Sequence, residues 1–324
     1  MIAVSRRLVL LTAAAALAPA GGIAQAAWPT RPITIVNPYP PGGLTDTVTR
    51  LIAERLAAEL GHSVVVENRA GGGTTIAINA VLSAPADGHT LLMGAAALAI
   101  YPHLQPNLQP RQPLTVLEPI GLGYRSAFVL HVHPSLPVRT APEFIAYAKA
   151  NPGKIDFGSS GLGAVNHLSV ELLRVMAGID VTHVPYRGGA PALLDLRAGR
   201  IQAMWQAVLE ALPAVREGAT RPLAVSGLQR VAVLPDVPPM AETVPGFDAT
   251  FWQGLFARTG TPAPVLARLE AAMRTVTADA ALAERLAQMG VQLEGSTAAG
   301  LRELAERDSA MWGRVIRERG ITLE

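Results

Sequence analysis

Hydrophobic positions in this chain switch repeatedly between two periods. The run "ITIV" (33–36) is continuous and β-branched, which predicts a buried strand. Val48, Leu51, Ile52, Leu56 and Leu60 then recur at helical spacing, with Gly61 as the stop. "SVVVEN" (63–68) predicts a second strand, "GGGTTIAINAVLSA" (71–84) a glycine-rich turn into a helix, and "HTLLMG" (89–94) a third strand. A proline-rich passage from Pro102 to Pro119 breaks this rhythm and precedes an expected change of domain. The alternation resumes with the strand "AFVLHVHP" (127–134) and the helix "TAPEFIAYAKANPG" (140–153), which opens on a capping box of Thr140 and Glu143. "IDFGSSG" reads as strand then turn, and "VNHLSVELLRVMAG" (165–178) as an amphipathic helix ending at Gly178. "VTHVPY", a helix "APALLDLRAG", and the strands "IQAMW" and "RPLAVSG" follow. After "FWQGLFAR" the pattern is mostly helical from Pro262 to Arg319, interrupted by a short strand "VQLEGS". Strands alternating with helices predict an α/β protein with largely parallel sheets, and no repeat of fixed period is visible.

Composition narrows the function classes. A chain of 324 residues, half of them hydrophobic, is long enough for a sizeable core and favours two domains over one. Cysteine is absent, which excludes a disulfide framework, a thiolate metal site and a cysteine nucleophile. The first residues, "MIAVSRRLVLLTAAAALAPAGGIAQAAWP", place Arg6 and Arg7 before an apolar run from Leu8 to Ala18 and a small-residue "AQA" at 24–26. That order is the order of a bacterial export signal, and the run is too short to span a bilayer. The expectation is export to the periplasm with cleavage near Ala26/Ala27, and "SRRLVL" fits either a Sec or a twin-arginine route. Without Arg6 and Arg7 the basic residues equal the acidic ones, and no basic stripe with interleaved aromatics exists, so nucleic acid is not an expected partner. No later segment reaches about 18 uninterrupted apolar residues, so a soluble mature chain is expected.

Two strand-to-helix turns carry the candidate chemistry. "NPYPPGGLTD" (37–46) crowds three prolines and two glycines into a stiff corner and then opens a helix with Thr45 and Asp46. Free N–H groups and the helix dipole at such a start favour an anion, and ligands of open α/β sheets bind at the carboxyl ends of strands. "DFGSSGLGAVNHL" repeats the arrangement, with Ser159 and Ser160 between glycines ahead of a helix that carries His167. Two such turns on two α/β halves imply a cleft gripped from both sides. Trp205 and Trp252 are candidates to line it, since ligand pockets favour aromatics, and Arg69, Arg125 and Arg187 are weaker candidates for pairing with an acid.

Two rival chemistries are disfavoured by spacing. A nucleophile elbow needs glycines two residues either side of its serine. Ser159 has Phe157 and Gly161 at that distance, and Ser160 has Gly158 and Leu162, so no hydrolase is expected. His131 and His133 share one face of an expected strand, but two imidazoles fall short of the three protein ligands that zinc takes, so neither metal nor cofactor is expected.

"WPTRPITIVNPYPPGGLTD", "VVVENRAGGG", "DGHTLLMG", "FGSSGLG…HL", "VPYRGGAPALLDLRAGRIQAMW", "LPDVPPMAE" and "FWQGLFA" occur in this order from Trp28 onward. As an ordered set, continued by "WGRVIRERGI" near the end, they resemble the Bug-type (TctC-like) extracytoplasmic receptors of tripartite tricarboxylate transporters. The resemblance implies a two-domain Venus-flytrap, like periplasmic binding proteins of the second type. It places domain I at residues 27–125 plus 248–324 and domain II at 126–247, after a signal peptide over 1–26. It further implies a monomer that holds a small carboxylate and passes it to large and small integral membrane subunits, or reports it to a signalling partner. Carried over onto this chain, the contacts are Tyr39, Pro40, Gly42, Thr45 and Asp46 from the first loop, and Ser159, Ser160, Gly161 and His167 from the second. The loop at Ala95 and the segment holding Trp205 and Gln206 would face the variable end of the ligand. There the chain departs from the family pattern: Ala95 and Ala96 replace common polar residues, and Gln206 replaces a common acid. These departures predict a carboxylate with a neutral or apolar body, such as an aromatic acid, rather than aspartate, glutamate or citrate.

Overall fold

The structure, a computed structural model, describes residues 28–105 and 107–323; the expected signal segment and its cleavage point lie outside the described residues. The chain runs β1 (Ile33–Asn37), α1 (Leu44–Leu60), β2 (Val64–Asn68), α2 (Thr75–Ser83), β3 (Thr90–Ala95), α3 (Ala97–Leu104), α4 (Pro113–Val116) and β4 (Leu117–Ser126). It then crosses to β5 (Phe128–Val132), α5 (Ala141–Ala150), β6 (Asp156–Ser159), α6 (Val165–Ala177), β7 (Thr182–Pro185), α7 (Gly189–Arg197), β8 (Ala203–Ala207), α8 (Val208–Arg216) and β9 (Arg221–Val225). It returns through β10 (Phe251–Arg258), α9 (Ala263–Thr277), α10 (Ala280–Ala287), β11 (Val291–Leu293) and α11 (Ala298–Arg319). Two sheets result, ordered β11-β4-β10-β3-β1-β2 and β7-β6-β8-β5-β9, one in each lobe of a two-lobed α/β fold.

The sheets are mixed rather than largely parallel. β1 pairs in parallel with β2 and β3, and β6 with β7 and β8, as βαβ units require. The antiparallel pairs come from the passage between lobes. β4 leads out of the first sheet and β10 leads back, so they lie side by side in opposite directions, with Phe251 opposite Ser126. In the second lobe the entering strand β5 and the leaving strand β9 pair the same way, with Val129 opposite Val225. The crossovers are also tied to each other: Ser226 Oγ accepts from Phe128 N–H at 2.9 Å and donates to Ala249 O at 3.0 Å.

β4, which the proline-rich passage conceals in the sequence, is a central strand of its sheet. Its glycines are demanded by close packing. A Cβ at Gly121 would lie 3.0 Å from Ser296 O, and one at Gly123 would lie 3.2 Å from Ile52 Cδ1. Helix α1 buries the stripe predicted for it, Val48, Leu51, Ile52, Leu56 and Leu60, against Ile33, Ile35, Leu91 and Met93 of the sheet. The larger core spans both lobes, from Val36 and Leu92 to Phe157, Leu168 and Trp205, with Leu301, Leu304 and Trp312 of α11 in the same cluster. Glu171 of α6, itself buried, accepts from Arg174 at 3.0 Å and from Arg319 of α11 at 2.7 Å, which fastens the C-terminal helix to the second lobe. No helix among the described residues is long and apolar enough to cross a membrane.

Candidate functional site

Four strand-to-helix turns converge on one cavity of about 560 Å³. They follow β1, β3, β6 and β8, and they contribute Pro40 and Thr45, Ala97 and Tyr101, Ser160 and Asn166, and Ala207 and Glu210 respectively. Ligands of open α/β sheets lie at this end of the strands. Phe128 and Phe251, at the two crossovers, close the remaining wall.

The first turn is braced from behind. Asp46, buried in the first turn of α1, accepts from Gly42 N–H at 2.9 Å and from Asn68 Nδ2 at 2.9 Å, and pairs with Arg50 at 3.0 Å. Burial pushes its carboxyl up, but these bonds outweigh burial and hold it below the usual carboxylate value. Asn68 also donates to Tyr39 O at 3.0 Å. Asp46 and Gly42 therefore hold the loop in shape and lie outside the cavity lining, whereas Tyr39, Pro40, Gly43 and Thr45 line it. The helix ladder of α1 begins with Thr47 N–H to Gly43 O at 3.0 Å, so the amides before Thr47 precede it. Burial, with Tyr101 nearby, raises the Tyr39 phenol well above its ordinary value, so Tyr39 is a neutral donor at physiological pH.

The second turn is held by a denser network. Ser160 Oγ donates to Asn166 Oδ1 at 2.9 Å, and Asn166 Nδ2 donates to Trp205 O at 3.1 Å, which locks the turn onto β8. Ser159 is fully buried, its Oγ 2.7 Å from His183 Nε2 and accepting from Gly161 N–H at 3.2 Å. His167 Nδ1 accepts from Gly163 N–H at 3.0 Å, and its ring stacks on His183 with centroids 3.9 Å apart. Burial lowers both imidazoles below the usual histidine value, His183 to about 4, so both are neutral at neutral pH. Ser160, Gly163, Val165 and Asn166 line the cavity, while Ser159, Gly161 and His167 support it from behind. The ladder of α6 opens with Leu168 N–H to Ala164 O at 3.0 Å, so the amides from Val165 to His167 precede it, as in the first turn.

The positions expected at the variable end fall differently. Ala95 is buried within β3 opposite Gln253, and Ala97, Ile100 and Tyr101 of α3 line the cavity in its place. Trp205 lies in the core, its ring flat on Phe247 at 5.7 Å, and Trp252 is buried with Nε1 donating to Asp308 Oδ2 at 2.7 Å. Neither tryptophan lines the cavity. Gln206 is also buried outside the lining, and its Nε2 donates to Glu210 Oε2 at 3.0 Å. Glu210 lines the cavity itself. Sequence reasoning missed Glu210 and Asn166. Glu210 was detectable, because Val208, Ala211, Leu212 and Val215 repeat at helical spacing between two expected strands.

Among the described residues, no Lys, Arg or His lines this cavity. Arg69 pairs with Glu67, and Arg125 with Glu294 at 3.0 Å. Arg125 belongs instead to a second cavity of about 580 Å³ at the crossovers, which none of the four turns reaches. His131 is engaged with Thr220 at 3.0 Å inside the sheet, and His133 Nδ1 with Ser135 at 2.7 Å.

The profile of the family described as "Tripartite tricarboxylate transporter family receptor" matches residues 48–321. The chain belongs to this receptor family. The receptor is 34% identical over 300 residues to the protein BugT of Bordetella pertussis (strain Tohama I), covering 92% of each chain. It is 37% identical over 319 residues to a protein from the tcbD-tcbE intergenic region of Pseudomonas sp. (strain P51), covering 97% of this receptor and 95% of that protein. Among solved structures, R. palustris Rpa4515 with adipate is 34% identical with a TM-score of 0.78, over 91% of the receptor and 100% of that chain. MatC (Rpa3494) from Rhodopseudomonas palustris with bound malate is 32% identical with a TM-score of 0.71, over 89% and 99%. Family and neighbours are solute-binding receptors rather than enzymes.

Proposed function

We propose that this chain is an exported, monomeric receptor that captures a small carboxylate between its lobes and delivers it to the membrane subunits of a tripartite tricarboxylate-type transporter. One observation carries the reading: two helix starts from different lobes open into the same cavity, and among the described residues no basic side chain lines it. An anion there is held by backbone amides and hydroxyls. Helix starts supply such donors without a counter-charge, each worth more against an ion than against a neutral group. Thr45, Tyr39 and the amides opening α1 grip from lobe one; Ser160, Asn166 and the amides opening α6 grip from lobe two. Asp46, Gly42, Ser159, Gly161 and His167 keep those donors in place. The adipate and malate carried by the two R. palustris neighbours support the carboxylate class.

Because donors are split between lobes, a bound acid ties them together, and the lobes hinge at the Ser226-linked crossovers. A thermal-shift screen of the processed protein against mono-, di- and tricarboxylates, amino acids, amines and sugars tests the binding claim. Carboxylates alone should raise the melting temperature; selective stabilisation by an amine or a sugar contradicts it. Delivery is tested by uptake into vesicles carrying the membrane subunits, which should depend on added receptor. Uptake that proceeds equally without it refutes transport and favours a sensing role.

A further inference from the structure

We infer that Glu210 sets the ligand class of this cleft: a monocarboxylate whose far end carries a hydrogen-bond donor and no negative charge. The inference rests on the carboxylate-receptor reading above and deepens it.

The cavity draws donors for a carboxylate from the helix starts after β1 and β6, and among the described residues lining it there is no cation to pair with a second. Its two helix starts lie on loops after β1 and β6, while Glu210 enters from the turn after β8. Glu210, though exposed in the unliganded protein, is held in place. Gln206, only 2% exposed, donates Nε2 to its Oε2 at 3.0 Å and so fixes one carboxylate oxygen. The pair also has space reserved for it. A Cβ at Gly189 would sit 3.1 Å from Glu210 Oε2 and 3.2 Å from Gln206 Nε2, closer than most side-chain contacts allow. With Oε2 engaged by Gln206, the carboxylate keeps acceptor capacity at the cavity, whose lining also includes Ala97, Ile100, Phe128 and Phe251.

The consequences for a ligand are opposite at its two ends. An amine, hydroxyl or amide gains a charge-assisted bond at Glu210. Once the lobes close, a second carboxylate meets a like charge with no basic side chain among the described lining residues to offset it. An all-carbon far end, with the lobes closed over it, leaves the Glu210 oxygen desolvated without a partner. The substitution of Gln for an acid at position 206 thus does not remove negative charge from this end of the cleft. The acid stands four residues later, in the first turn of α8, and Gln206 on β8 serves to orient it.

The test is calorimetry of the processed protein, wild type and Glu210→Gln, with two acid series. The six-carbon series is hexanoate, 6-hydroxyhexanoate, 6-aminohexanoate and adipate; the four-carbon series is butyrate, 4-hydroxybutyrate, 4-aminobutyrate and succinate. Wild type should bind a hydroxy or amino acid of one series at least about tenfold tighter than the matching diacid and the matching plain acid. Glu210→Gln should tighten the diacid and weaken the amino acid, each by about tenfold. Glu210 is exposed, and the glutamine isostere should melt with wild type. Tightest binding by adipate or succinate, indifferent to Glu210→Gln, overturns this inference alone. Binding by no member of either series also overturns this inference, and the carboxylate reading beneath it falls only if the thermal-shift screen finds no carboxylate that stabilises the protein.

Discussion

Removing the hydroxyl of Ser160 should cost less affinity than removing that of Thr45, although both line the cleft. Ser160 Oγ already donates to Asn166 Oδ1 at 2.9 Å in the free protein. To donate to a ligand carboxylate it must leave that bond, worth about 0.5–1.5 kcal/mol, for a charged one worth about 1.5–3 kcal/mol. Taking like ends of the two ranges, the difference is about 1–1.5 kcal/mol, or roughly five- to twelvefold in affinity. At Thr45 the side-chain bond found among the described residues is accepted by its carbonyl from Thr49 Oγ1, and leaves the Thr45 hydroxyl uncommitted. Thr45→Val should therefore cost the full charged bond of about 1.5–3 kcal/mol, roughly ten- to 150-fold. The assay is calorimetry with whichever acid gives the largest thermal shift, alongside denaturant melts of Ser160→Ala and Thr45→Val. Wild-type affinity in both variants would remove these turns as the anchor. A larger loss for Ser160→Ala than for Thr45→Val would refute the competition argument.

Three further outcomes follow from the same geometry. Asn166→Asp keeps the acceptor for Ser160 but loses the donor to Trp205 O and adds a negative charge to the cavity. Calorimetry should show carboxylate affinity falling more than about a hundredfold for about 1–3 kcal/mol of stability, and unchanged affinity would contradict the anchor. Asp308 is raised from 3.8 to about 6 by burial, against the opposing bond from Trp252, so it costs stability as pH rises through that range. Asp308→Asn keeps an acceptor for the indole, and denaturant melts at pH 4 and pH 7 should show it gaining up to about 3 kcal/mol on wild type between them. An identical pH dependence in both proteins would refute that role. Saturating ligand should also compact the protein in small-angle scattering, and identical curves with and without it would count against lobe closure.

The elements with one clear period were legible in the sequence. The α1 stripe from Val48 to Leu60, the Thr140–Glu143 start of α5 and the stop of α6 at Gly178 all appear where the spacing put them. β4 was not legible, because Pro119, Gly121 and Gly123 read as breakers until Ser296 and Ile52 are seen packed against them. α3 was hidden by Pro102 inside it, and α8 by its Pro213. The same limit applies at the cleft. That "PYPPGGLTD" and "GSSGLG" would form helix starts was readable locally; that Asp46, Ser159 and His167 face away from the cavity depends on Asn68, His183 and Gly163, which only the folded chain brings near. Trp205 shows the converse case. Its indole looked suited to a ligand, but Phe247, distant in sequence, offers it a stacking partner in the core.

The central claim is that this cleft recognises a carboxylate charge through amides and hydroxyls supplied by both lobes. The most direct measurement compares, by calorimetry on the processed protein, the best-binding acid with its own primary amide. The two have nearly the same shape and differ in charge and in one acceptor. The acid should bind at least about tenfold tighter, since bonds to a charged acceptor are roughly twice as strong as neutral ones. An amide that binds as tightly as the acid would contradict the claim.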